Sequence, residues 1–212
     1  MGKQLITQEQ MAEALDKIYT GVVNGIPGTK NCDELAAEYL SKYKTPDNAA
    51  KKLIQWQVAK CTTSGFLTSL GGLITLPVAI PANVGSVLYV QIRMIAAIAA
   101  MSGCNLHDDE VQTLVYLCLV RSSITDICKS AGVQVANKVT VNLLKKLPGT
   151  VLTKINQKVG FRLFTKFGEK GIVNLVRVVP VAGGIVGGGV DYVGTKLIAD
   201  KAFKVFIRNE LD

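Results

Sequence analysis

From Cys61 to His107 the chain runs for 47 residues with a single formal charge, Arg93. So long a neutral stretch cannot stay in water, because apolar surface gains about 25 cal/mol for every Å² withdrawn from solvent. It has two possible shelters, the interior of the protein or a bilayer, whose hydrocarbon layer is spanned by about 20 apolar helical residues. The first part of the run, from Gly65 to Gly85, is punctuated by Gly71, Gly72, Pro77 and Pro81. Each proline removes a helical hydrogen-bond donor, so the run must bend near Pro77 to Pro81. After Asn83 a helix is expected to resume, with Val84, Val87, Leu88, Ile92, Ile95 and Ile98 on its apolar face and its end near Gly103. The result is an apolar helical hairpin broken by Pro and Gly, whose bend carries Leu73, Leu76, Pro77 and Pro81. The prolines, the glycines and polar Asn83 and Ser86 argue against a simple spanning helix, and an intramembrane Arg93 costs about 2.5 to 3.5 kcal/mol unless it snorkels or pairs. A core hairpin and a segment that reversibly meets lipid are the two readings that remain.

The flanking sequence is helical as well. Thr7 with Gln10 has the form of a capping box, followed at helical spacing by Met11, Ala14, Leu15 and Ile18. The stretch NGIPGTKN (24–31) ends this helix, and Asn31 with Glu34 caps a second that runs to about Tyr43. Thr45 and Pro46 read as an N-cap and first-turn proline for a third helix carrying Leu53, Ile54, Trp56 and Val58. Asp108, Asp109 and Glu110 open another, where carboxylates suit the unpaired amides, with Val111, Leu114, Val115, Cys118 and Leu119 along one side. Shorter helical patterns follow, broken at Gly132, at Pro148 with Gly149 and around Gly168 to Gly171. A last helix is expected from Gly188 to Asn209, with Val190, Val193, Leu197, Ala202, Phe203 and Phe206 as its apolar positions. A short strand over Val173 to Val181 is the one competing local reading. The fold class is therefore all-α, a compact multi-helix bundle around the broken hairpin, with residues 1–212 as a single domain.

Hydrophobic residues make up 49% of the chain and charged ones 19%, yet the formal net charge is +8. Much of that excess is local: from Ile127 to Arg177 there are ten basic residues and one acidic residue, Glu169. Lys154, Lys158, Arg162, Lys166 and Lys170 recur every fourth residue and form a basic stripe on a helix, with Leu152, Ile155, Val159, Leu163 and Phe167 beside it. A basic amphipathic helix suits an anionic membrane surface. The same pattern also describes a solvated face over a core stripe. Nucleic acid is disfavoured as a partner, since no recognised binding module is present.

Gly183 with Gly187 and Gly184 with Gly188 lie four apart, which permits close helix packing. Gly189 and Gly194 have P-loop spacing, but Thr195 and Lys196 follow in the wrong order for phosphate binding, and no cofactor is expected. Catalytic motifs are missing, and the one histidine, His107, stands among carboxylates that a helix start explains better than a metal does. Cys32, Cys61, Cys104, Cys118 and Cys128 form no C-x-x-C pair and read as reduced core residues of a cytosolic protein. The opening residues, MGKQLITQEQ, carry Glu and Gln where a signal peptide needs an apolar stretch, so secretion is not expected.

Two segments, GGLITLPVAIPANVGSVLYVQIRMIAAIAAMSGCNL (71–106) and VPVAGGIVGGGVDYVGTKLIADKAFKVF (179–206), together with VGFRLFTKFGEKG (159–171), resemble the bacterial EcsC family. The likeness is strongest over residues 45–207. Gly103, Cys104 and Asn105 stand where many members have Gly-Tyr-Asp, and Ala79 stands where some carry an acid. The resemblance implies a bacterial protein and transfers no catalytic residue. The preferred expectation is a protein that associates peripherally or conditionally with anionic lipid or a membrane protein at the cytoplasmic face of the inner membrane. Its rivals are a soluble adaptor or regulator of a transporter or secretion system, and a hydrolase-like enzyme whose pocket combines Arg93 with Asp108 or Asp191.

Overall fold

The computed structural model describes residues 7–61, 82–134, 141–167 and 185–210, and among these all regular structure is helical. In chain order the helices are α1 (Gln8–Asn24), α2 (Cys32–Tyr43), α3 (Pro46–Cys61), α4 (Ala82–Met101), α5 (Asp109–Cys118), α6 (Ile124–Ser130), α7 (Val141–Leu144), α8 (Gly149–Phe167) and α9 (Ile185–Ile207). The all-α bundle expected from the sequence is the observed architecture. The bend of the hairpin, with Leu73, Leu76, Pro77 and Pro81, lies outside the described residues, as do Lys170, Gly183, Gly184 and the segment Val173 to Val181.

The early helices begin where their capping residues stand. In α1 the Thr7 hydroxyl accepts from the Gln10 N–H at 3.2 Å while Gln10 Oε1 accepts from the Thr7 N–H at 2.9 Å. Asn31 and Glu34 repeat this reciprocal pair at the start of α2, at 2.8 and 3.0 Å. Between them Gly25 turns the chain with φ 81°, a left-handed value that glycine adopts without penalty, and a side chain there would also crowd Asn31. Thr45 caps α3, its hydroxyl accepting from the Asn48 N–H.

Helix α4 is the axis of the bundle, with α1, α2, α3, α5 and α9 packed around it. Between Val84 and Met101 only Val87, Arg93 and Ala100 are not buried. This segment is long and apolar enough to cross a membrane, with mean hydropathy 1.7, but 83% of it is enclosed by the rest of the protein. For this half of the neutral run the shelter is protein. Its polar groups are provided for locally, apart from Arg93 Nε, which is buried without a partner. The buried Gln91 amide donates to Thr195 Oγ1 on α9 at 3.2 Å, and Arg93, half-buried, turns outward so that Nη2 donates to the Lys30 carbonyl at 2.8 Å. Beneath it the Cys32 thiol donates to the Arg93 carbonyl. Burial, opposed by the Arg93 charge, pushes that thiol up to about 12, so it is a packing group and not a nucleophile.

Three expectations from periodicity are corrected by the packing. Trp56 on α3 is 57% exposed, while its neighbours Gln57 and Val58 are buried. Leu197 on α9 is 48% exposed, because the face turned inward is Thr195, Ile198, Ala199, Ala202, Val205 and Phe206, centred about 140° away. Helix α5 is not one-sided: every residue from Val111 to Cys118 except Gln112 is buried, since α4, α7, α8 and α9 all pack against it. Gly187 and Gly188 fall in the first turn of α9, a helix that packs on α3, α4 and α5.

Truncating the fully buried Ile95 to Ala should cost about 2 to 5 kcal/mol, whereas Trp56→Ala should change stability by less than about 0.5 kcal/mol. Urea denaturation of the two variants measures the contrast, and equal losses would contradict the placement of α4 at the centre.

Candidate functional site

The basic stripe sits on α8, which starts where the Pro148 carbonyl accepts from the Val151 N–H. Leu152, Ile155, Val159 and Leu163 are all buried, and α8 packs on α1, α5 and α6. This places Lys154 and Lys158 on the exposed side; the row drifts toward the packed side along the helix, so that Arg162 is half-buried with its guanidinium against Ser122 Oγ and Lys166 is exposed in the last turn. Four members of the stripe are thus placed on α8, one of them drawn inward, and Lys170 lies outside the described residues. Between the cations stands Phe161, 48% exposed, its ring 6.3 Å from that of Phe164. Residues 141–167 carry Lys145, Lys146, Lys154, Lys158, Arg162 and Lys166 and no acid. Phe161 is the residue that periodicity passed over, one step from Arg162 and three from Lys158.

A second feature lies where α1, α5 and the start of α8 meet: a cleft of about 340 Å³ lined by Asp16, Asp109, Gln112, Tyr116, Thr153 and Asn156, among others. Gln112 Nε2 donates to the Tyr116 hydroxyl oxygen at 2.8 Å, and the hydroxyl donates to Asp16 Oδ1 at 2.9 Å. Gln112 also reaches Asp16 at 3.3 Å. The Tyr116 ring is buried and meets Tyr19 edge-on at 5.7 Å, while the Tyr19 hydroxyl donates to the Leu106 carbonyl at 2.8 Å. Burial raises both phenols well above their ordinary range, with the Asp16 carboxylate adding to the effect on Tyr116. Tyr116 is therefore a permanent donor to Asp16 near neutral pH and does not serve as a base. The donors of the network thus run from Gln112 to Tyr116 and from both to Asp16, while Asn156 Oδ1 in the same cleft is buried without a partner.

The polar groups proposed for a hydrolase-like pocket do not meet in this cleft. Arg93 serves the Lys30 carbonyl, and Asp108 accepts from Asn105 Nδ2 at 2.7 Å at the start of α5. The side chain of Asp191 lies outside the described residues. His107 is exposed, and its backbone N–H donates to Asn105 Oδ1. Among the described residues no three His, Cys, Asp or Glu side chains are grouped so as to hold a metal ion.

Replacing Tyr116 by Phe should cost about 1 to 2 kcal/mol at neutral pH, the worth of a part-buried hydrogen bond to a carboxylate. The folded chain keeps the Tyr116 proton at a pH where the unfolded chain releases it, so wild-type stability should fall as pH rises past about 10. Tyr116→Phe should lessen that fall, with Tyr19 retaining part of it. Chemical denaturation from neutral to alkaline pH measures both effects, and an unchanged alkaline loss would contradict the assignment.

No curated protein and no solved structure matches the chain. The model of the EcsC protein family matches residues 5–208, nearly the whole sequence, so that the capped α1 and α2 fall within it as fully as the hairpin and α9 do. The chain belongs to the EcsC protein family.

Proposed function

We propose that this EcsC-family protein associates peripherally with an anionic membrane surface, on the cytoplasmic side, through the outer face of α8. The observation that carries the reading is an acid-free helix that sets Lys154 and Lys158 in solvent beside a half-exposed Phe161. Each cation near an anionic leaflet is worth about 1 kcal/mol, and an aromatic ring can enter the headgroup region while its cationic neighbours stay outside. The apolar stripe of α8 is already occupied by α1, α5 and α6, so the helix does not lie in the interface as a free amphipathic helix would. Contact is mainly electrostatic, reversible and sensitive to salt. Leu73, Leu76, Pro77 and Pro81 of the hairpin bend would add apolar contact in this reading.

Flotation with vesicles of equal parts phosphatidylglycerol and phosphatidylcholine should carry the intact protein at low ionic strength, and vesicles of phosphatidylcholine alone should not. The double variant Lys154→Glu/Lys158→Glu should weaken binding by at least about thirtyfold, the equivalent of two cations at about 1 kcal/mol each. Phe161→Ala should weaken it less and leave the salt dependence unchanged. Absence of flotation with the anionic vesicles would end the proposal.

A further inference from the structure

Away from the α8 surface, the loop that joins α5 to α6 is held by cations. Lys201 of α9 donates to the carbonyls of Val120 at 3.1 Å and Ser122 at 2.8 Å, and Arg162 of α8 contacts the Ser122 hydroxyl. Two positive side chains therefore converge on neutral oxygens, and Arg121 between those carbonyls is exposed. On the next turn of α9 Lys204 is exposed as well. Among the described residues neither Arg121, Arg162 nor Lys204 makes an ion pair.

This cationic loop stands over two adjoining cavities that share Arg121, Leu197 and Lys201. One, of about 330 Å³, is otherwise walled by the buried Cys118, Val120 and Ile198. The other, of about 420 Å³, adds Ser122 and Lys204 together with Asp200 and Glu210, so that three cations face two carboxylates. Leu197, 48% exposed, stands on the wall common to both. An apolar chamber opening beside a net positive one is complementary to a molecule with one short apolar chain and one anionic head. Each chamber is within the range of about 300 to 1,000 Å³ usual for ligand sites.

The geometry points to a binding site for a single-chain anionic amphiphile. Its hydrocarbon tail lies against Cys118, Val120, Leu197 and Ile198, and its head is held by Arg121 and Lys204. The tail covers the exposed Leu197, and the head supplies the negative charge that the Arg121 and Lys204 side chains lack. An inorganic anion would leave the apolar chamber empty, and an uncharged alcohol would leave the cations unpaired. The site is separate from the outer face of α8 and does not depend on membrane binding by that face.

Isothermal titration of the full chain with octyl phosphate below its micellar concentration tests this, with inorganic phosphate and octanol as comparisons. Octyl phosphate should bind at one saturable site, at least about tenfold tighter than either comparison ligand. Arg121→Glu and Leu197→Asp should each weaken it by about tenfold or more. Lys204→Glu, on an exposed side chain, provides a second charge reversal should Arg121→Glu alter folding by circular dichroism. Lys154→Glu/Lys158→Glu should leave octyl phosphate binding unchanged, which separates the outcome from that of the vesicle experiment. The inference is overturned if no saturable site appears, or if phosphate or octanol binds as tightly. It is equally overturned if the Arg121 and Leu197 variants bind normally, or if the Lys154 and Lys158 reversals weaken binding as much as the Arg121 reversal does.

Discussion

The withdrawal of α4 from water is the constraint to which the rest of the fold answers. Each large side chain it buries, such as Leu88, Ile92, Met94, Ile95 and Ile98, contributes about 1.5 to 3 kcal/mol only if no side of the helix is left open. An ordinary surface helix needs cover on one stripe; this one needs it all round, and α1, α2, α3, α5 and α9 together supply it. The polar side chains within it are then drawn toward specific partners. Gln91 meets Thr195, since an unpaired buried amide is costly, and Arg93 carries its charged end out to the Lys30 carbonyl, leaving only Nε buried without a partner.

That arrangement also explains where the charge goes. With α1 and α5 engaged on α4, α8 packs on the outside of both and needs to bury only Leu152, Ile155, Val159 and Leu163. Its opposite face is free of packing demands and carries Lys154 and Lys158 without loss of stability. The same layering makes α9 asymmetric. Its inner face is closed by α3, α4 and α5, while Leu197 and Lys204 look out beside the Arg121 loop.

Local chemistry made much of this legible in the sequence. The pairs Thr7–Gln10 and Asn31–Glu34 satisfy backbone groups within a few residues, so their positions fix the starts of α1 and α2 without reference to the rest of the fold. Thr45 with Pro46 does the same for α3. The neutral run located α4 because its composition permits so few environments. Periodicity failed where burial came from several directions at once: α5 is covered on almost every side, and on α9 a rotation of one residue decides whether Leu197 or Ile198 faces inward. The cleft of Asp16, Gln112 and Tyr116 was beyond local reading, since Asp16 and Tyr116 are 100 positions apart. The one local sign was Gln112 four residues before Tyr116 in an otherwise apolar helix.

The packing of α8 also limits what the proposed membrane contact can be. A free amphipathic helix gains most of its affinity by sinking its apolar face into the acyl boundary, but the apolar face of α8 is part of the hydrophobic core. Releasing it would expose Ile155, Val159 and Leu163, each fully or almost fully buried, and would uncover the side of α1 and α5 on which they rest. The side chains of α8 would regain shelter in lipid, but the uncovered side of α1 and α5 would face water at about 25 cal/mol for every Å², a cost that contact by α8 does not recover. Adhesion without unfolding is therefore the favourable mode for this helix, with the cations against the leaflet and Phe161 an exposed apolar group beside them that can enter it. Arg162, turned toward Ser122, contributes to the fold and to the cationic loop instead of to that surface.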